Sequence, residues 1–255
     1  MDIINNDFLN NSDFESAGKV NFNTSAKNDF VTNEAFKTLR SNILFCSKDV
    51  KVILITSTYE NEGKSTIATE LSKSLSDINK KTLLIDADMR KSVILPKNLK
   101  TQNILGLSEL LSGQATLSDV LYETQIPNFN VIFSGRFPPN PVELLSTDYF
   151  KQLLNQFREV YDFIIIDSPP LAPVIDASVI SVQCDGVVFV ISADRVRINE
   201  ATAVKNQIEK SGCKILGAVL NEVDAKHKAK SSYYKKNYYY AESSKSKSKF
   251  KGLKK

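Results

Sequence analysis

At 255 residues with 42% hydrophobic content, the chain is long enough for one α/β domain with a sizeable core. No apolar run approaches the ~18–20 residues of a bilayer span, and three widely spaced cysteines (Cys46, Cys184, Cys213) without CxxC spacing exclude a disulfide framework and a thiolate metal site. The net charge of +4 is unevenly divided: residues 225–255 hold eleven lysines and one acid, Glu242, which leaves the preceding body mildly acidic.

Residues 1–32 read as a flexible lead. The opening MDIINNDFLNNSDF lacks the basic flank and apolar centre of a secretory signal, so a cytoplasmic location is expected. From Asn33 a helix is predicted, with Phe36, Leu39, Ile43 and Leu44 as its apolar stripe. Glu34, Lys37 and Arg40 lie beside that stripe at i, i+3 and i+6. Strands and helices then alternate: strand 51–56, helix 64–78, strand 82–86, helix 107–112, a short helix near 116–122 and strand 130–134. Helix 147–159, strand 162–167, helix 176–183, strand 186–192, helix 198–211 and strand 214–220 follow.

The strands are continuous apolar runs (LLID, FIIID, VVFVIS) and not alternating ones. That pattern implies burial on both faces, hence a mostly parallel central sheet covered on both sides by helices. Helix 64–78 carries Ile67, Ala68, Leu71, Leu75 and Ile78 on one face, as a crossover helix should.

The segment from Ser57 to Thr66, STYENEGKST, joins the first of these strands to that helix. Strand, loop and helix are the setting of a phosphate-binding loop, in which backbone N–H groups and a helix N-terminus surround an anion. Asn61, Glu62, Gly63, Lys64, Ser65 and Thr66 are the candidate nucleotide contacts. Lys64 reaches the β- and γ-phosphates of ATP, and the Ser65 hydroxyl binds Mg2+. Thr58 occupies the position of the first loop glycine. Asn61 tolerates positive φ and stands in for a glycine. Glu60 and Glu62 are expected to point outward, away from phosphate.

Two further strands end in acids. Asp86 and Asp88 close LLIDADMRK, and Asp167 closes FIIIDSPP. An acid at the end of a buried strand suits a Mg2+ ligand, direct or through water. With Lys64 and Ser65 these three complete a phosphate, metal and carboxylate set for phosphoryl transfer.

These motifs, together with Pro138-Pro139-Asn140-Pro141-Val142-Glu143-Leu144-Leu145 and the Glu34, Lys37, Arg40 helix, resemble the bacterial tyrosine kinases of capsule and exopolysaccharide operons. The resemblance runs from about Asn33 to Asn221. It implies a P-loop NTPase fold close to the MinD/ParA group, over a kinase domain of residues 33–224. It also implies roles: Lys64, Asp86, Asp88 and Asp167 catalytic; Ser65, Asp86 and Asp167 at the metal; Asn221 at the adenine. One of Asp86 and Asp88 polarises the tyrosine hydroxyl, and which one stays open. Glu34, Lys37 and Arg40 would join subunits into a ring-like homo-oligomer. The chain departs from the family at Glu60-Asn61, where Pro-Gly is usual, and at Lys37, where arginine is usual.

Residues 225–255 read as a disordered basic tail holding five of the nine tyrosines, Tyr233, Tyr234, Tyr238, Tyr239 and Tyr240. The resemblance makes them autophosphorylation sites served by a neighbouring subunit. It also implies a separate transmembrane adaptor of the polysaccharide co-polymerase type, which recruits the protein to the inner face of the membrane, and a cognate tyrosine phosphatase. No nucleic acid partner is expected, although aromatic and basic interleaving also suits single-stranded nucleic acid. A MinD/ParA-like ATPase switch and a nucleotide-binding regulatory module remain as alternatives. Against the switch, the signature lysine of those ATPases, five residues before the P-loop lysine, is replaced here by Tyr59.

Overall fold

The structure, a computed structural model, describes residues 16–21, 30–94 and 104–223. Its elements in chain order are β1 (Gly18–Val20), α1 (Phe30–Cys46), β2 (Val52–Ser57), α2 (Lys64–Ser76) and β3 (Thr82–Asp86). Next come α3 (Leu107–Leu111), α4 (Leu117–Val120), β4 (Leu121–Thr124), β5 (Phe129–Ile132), α5 (Pro141–Leu145) and α6 (Asp148–Val160). The chain continues through β6 (Phe163–Asp167), α7 (Asp176–Ser181), β7 (Gly186–Ser192), α8 (Ile198–Lys210) and β8 (Ile215–Asn221).

The strands form one eight-stranded sheet in the order β1-β4-β5-β3-β6-β2-β7-β8. All neighbours are parallel except β4 and β5, so the expected doubly covered sheet is what forms. Alternate residues of each strand enter opposite layers. Val52, Leu54, Leu83, Ile85, Ile164 and Ile166 pack with α3, α6, α7 and α8 on one face. Ile53, Ile55, Leu84, Val131, Ile165 and Val188 pack with α1 and α2 on the other. Helix α6 buries Phe150, Leu153, Leu154 and Phe157, an i, i+3, i+4, i+7 stripe laid on the sheet.

The structure differs from the sequence reading at several elements. The helix expected near 116–122 stops at Val120, because Leu121–Thr124 pairs with β5 as an antiparallel strand. Its Tyr122 ring meets Phe133, with centroids 5.3 Å apart. Gly18–Val20, inside the expected lead, adds a further strand on β4. The proline-rich Pro141–Leu145 forms its own short helix before α6. Leu44 is exposed, as is Ile78, which lies beyond the end of α2. Most of the lead, and the whole tail with its five tyrosines, lie outside the described residues.

Strands β3, β6 and β2 are parallel neighbours, so their carboxyl ends share one edge of the sheet. Asp86, Asp167 and the loop after Ser57 therefore meet there, where open parallel sheets bind ligands.

Candidate active site

The loop from Ser57 to Lys64 is wrapped on its own backbone. Asn61 has φ 60°, the left-handed conformation expected of it, and Gly63 has φ 87°. A side chain at 63 would be strained by that φ, and its Cβ would stand 2.1 Å from the Asn221 amide nitrogen, displacing Asn221 from the loop. Glu60 does turn outward, to an ion pair with Lys91. Glu62 does not. Its side chain is buried, with one carboxylate oxygen accepting from the Tyr59 N–H and the other from the Ser192 N–H at 2.9 Å. Two backbone donors replace the water that a buried carboxylate loses, so inward burial is tolerated.

Lys64, Ser65, Asp86, Asp88 and Asp167 are all buried and converge at the first turn of α2, whereas Thr66 is exposed. Lys64 Nζ lies 3.1 Å from Asp88 Oδ2. Burial pushes the Lys64 ammonium toward neutrality, but the charges of Asp167, Asp88 and Asp86 outweigh it and raise its pKa. Asp86 and Asp167 are register partners at the ends of β3 and β6. Burial first, and Lys64 and Ser65 only partly offsetting it, pushes Asp167 up to about 7. Asp86 too is held well above the ordinary carboxylate range, by burial and by the Asp167 charge, against hydrogen bonds from Ser92 and the Asp88 N–H.

Such crowding of buried acids is costly without a compensating cation. Asp167 Oδ1 is buried without a hydrogen-bond partner, and the Ser65 hydroxyl bonds to the same carboxylate. That orphaned oxygen beside a hydroxyl fits a hard divalent cation. Among the described residues no group of three or more His, Cys, Asp or Glu is arranged to hold a metal unaided. A Mg2+ here would draw its remaining ligands from phosphate and water, as that ion commonly does.

Two sequence-assigned residues, Asn221 and Arg40, are anchored by contacts within the chain. Asn221, expected at the adenine, donates its amide to the Glu62 carbonyl at 2.9 Å and so lies against the phosphate loop. Arg40 is not a free surface cation. Its Nη1 donates to the Ser74 carbonyl at 2.7 Å and to the Ser74 hydroxyl at 3.2 Å, tying α1 to α2. Glu34 and Lys37 pair with each other at 2.8 Å. Residues that local sequence did not single out also shape the site. Buried Asp176, on α7, takes the Arg90 guanidinium in two bonds of 2.9 and 3.2 Å and fixes the chain after Asp88. Its position opening a helix was visible in sequence, but its partner was not.

A parallel sheet with a phosphate-type loop after a central strand, Lys64 and Ser65 at a helix start, and acids ending two neighbouring strands define a P-loop nucleotide-binding domain. A family model described as an AAA domain matches residues 50–215. Among curated proteins, the tyrosine-protein kinase CpsD of Streptococcus agalactiae is 45% identical over 193 residues, spanning 76% of this chain and 84% of that one. The solved kinase domain of the Escherichia coli tyrosine kinase ETK superposes with a TM-score of 0.73 at 31% identity, covering 80% of this chain and 81% of that one. The septum site-determining protein MinD of Pyrococcus horikoshii, solved with Mg-ADP, superposes less well, with a TM-score of 0.57 at 26% identity over 67% of this chain and 69% of that one. The chain belongs to the bacterial tyrosine-protein kinases, a family built on the MinD-like P-loop fold. Its enzyme class is thus phosphoryl transfer to protein tyrosine.

Proposed function

We propose that this protein uses Mg2+ and ATP to phosphorylate Tyr233, Tyr234, Tyr238, Tyr239 and Tyr240 on the tail of a neighbouring subunit, and so controls capsular or extracellular polysaccharide synthesis and export. The observation that carries this reading is the meeting of Lys64 and Ser65 with three buried acids at one edge of the sheet. An ordinary βα loop has no use for that many buried charges.

In this reading the loop N–H groups and Lys64 hold the triphosphate, and Thr66, exposed at the start of α2, adds a hydroxyl. Ser65, Asp167 and Asp86 would hold Mg2+, which would supply positive charge beside the phosphates. Asp88 is the base. Its Oδ1 accepts the Lys91 N–H and its Oδ2 is engaged by Lys64, so that oxygen is released when Lys64 turns to phosphate. The tyrosine oxygen then forms a bond to the γ-phosphorus as the bond to the bridging oxygen breaks. Asp88 takes the hydroxyl proton and ADP departs. Asp86, with an oxygen bound by Ser92 and the other by the Asp88 N–H, is less free to take that proton.

The proposed organisation is a lead of residues 1–32, a kinase domain of 33–224 and a tail of 225–255. Subunits assemble through α1, with Glu34 and Lys37 at the contact and Arg40 setting the angle of α1 on α2. Among the described residues no helix is long and apolar enough to cross a membrane. The proposed setting is the cytoplasmic face of the membrane, reached through a separate transmembrane adaptor, with a phosphatase resetting the tail. Incubation with Mg2+ and ATP followed by a phosphotyrosine blot tests the reading. Signal in the wild type and none in Lys64→Met is expected, and equal signal in both would refute it.

A further inference from the structure

The N–H groups of a phosphate loop converge inward only if its carbonyls turn outward, and each outward carbonyl needs a partner. Two of these partners come from the loop after β7 and from the last residue of β8. The Asn61 carbonyl accepts from Arg195 Nη1 at 3.1 Å, and the Glu62 carbonyl accepts from Asn221 Nδ2 at 2.9 Å. Arg195 is itself oriented, since Glu222 Oε2 lies 3.4 Å from the same nitrogen and also accepts the Ser192 hydroxyl. Ser192 closes the circuit. Its N–H donates to the Glu62 carboxylate, whose other oxygen takes the Tyr59 N–H.

Two non-glycine residues on this circuit sit in the left-handed region, Asn61 at φ 60° and Glu222 at φ 58°, and Asp194, just before Arg195, has φ 62°. Such conformations persist only where surrounding contacts hold them. Asn61 occupies the middle of the loop, and the side chain that holds its carbonyl is Arg195. Both members of the Arg195–Glu222 pair are about half exposed, with side chains 58% and 44% accessible, so the pair adds little to global stability. Its contacts lead to the phosphate loop and not into the core.

We propose that Arg195 and Glu222 are positioning residues for nucleotide binding: Glu222 orients Arg195, and Arg195 holds the Asn61 carbonyl outward so that the loop N–H groups face the phosphates. The inference rests on the nucleotide-binding reading of the loop and is independent of which tyrosine receives the phosphate.

Titration with a fluorescent ADP analogue in the presence of Mg2+ tests it without any phosphotransfer. Arg195→Ala should weaken binding about tenfold, the loss of one hydrogen bond from a charged donor. Arg195→Lys should recover part of that loss, since it keeps a charged donor but not the planar fork. Glu222→Ala should cause a smaller loss, and the double variant should bind no worse than Arg195→Ala, because both act on one carbonyl. In steady state, KM for ATP should rise while kcat at saturating ATP holds. Unchanged affinity in Arg195→Ala, losses that multiply in the double variant, or a loss matched by a lower thermal midpoint of the nucleotide-free protein would each overturn the brace. A wild-type protein that does not bind the analogue would overturn the loop assignment and the brace together.

Discussion

Asp86 and Asp167 face each other across the last paired position of β3 and β6, both buried, with a single lysine, Lys64, shared between them and Asp88. Burial makes the folded protein hold protons on Asp86 and Asp167 more tightly than the unfolded chain does, with Asp167 raised to about 7. The sign follows from linkage. Between the ordinary carboxylate range and about pH 7 the native state binds more protons, so this pair makes stability fall as pH rises through that window. Nucleotide-free protein should gain thermal stability from pH 8 to pH 6, and Asp167→Asn should flatten the dependence. Binding of Mg2+ with nucleotide should release protons, measurable by calorimetry in buffers of different ionisation enthalpy. Proton uptake would contradict the assignment.

Lys64→Met removes the cation these acids share. Phosphotransfer should fall by about a thousandfold or more, since catalysis here is positioning and charge stabilisation. The same variant should be less stable at pH 8 and recover at pH 6, below the raised pKa of Asp167. A scanning calorimetry profile with no such recovery would show that Lys64 does not balance them.

At the opposite end of the sheet, Arg158 grips Asp185 through two 2.8 Å bonds, and the same carboxylate accepts the Lys51 and Val52 N–H groups. Burial pushes the Asp185 pKa up, but these four donors outweigh it and leave it lowered. Its contribution is thus complete above the ordinary carboxylate pKa and is lost as pH falls through the lowered value. Asp185→Ala should cost about 2–3 kcal/mol of stability, because it strands a part-buried guanidinium and two backbone donors. Chemical denaturation reads this directly, and nucleotide affinity should stay unchanged.

Arg40→Ala should lower the thermal midpoint by loosening α1 from α2, whereas Glu34→Ala with Lys37→Ala should leave it within about a degree, as expected of an exposed pair. Light scattering then separates fold from assembly. Loss of the oligomer in the Glu34, Lys37 double variant supports the α1 interface, and an unchanged oligomer excludes it.

The central strands and the P-loop were legible because full burial leaves an uninterrupted apolar run, and because the acids ending β3 and β6 have no packing role. β4 was not legible: four residues, Leu121–Thr124, carry too little pattern to separate them from the helix before them. Leu44 and Ile78 were misplaced because helical periodicity was extended past the point where neighbouring elements cover it. Pairings such as Arg195 with Asn61, or Arg158 with Asp185, join distant segments, and no local spacing encodes them. The inward turn of Glu62 escaped for the same reason, since its partner Ser192 arrives from β7.

Phosphotyrosine mapping by mass spectrometry, on the protein isolated from its own cells and again after incubation with Mg2+ and ATP, tests the central claim most directly. Phosphate should lie on Tyr233, Tyr234, Tyr238, Tyr239 and Tyr240, and should be absent from Lys64→Met and Asp88→Ala. Phosphate found mainly on Tyr59, Tyr122, Tyr149 or Tyr161, or retained on the tail of Lys64→Met purified from cells without the wild-type protein, would contradict it.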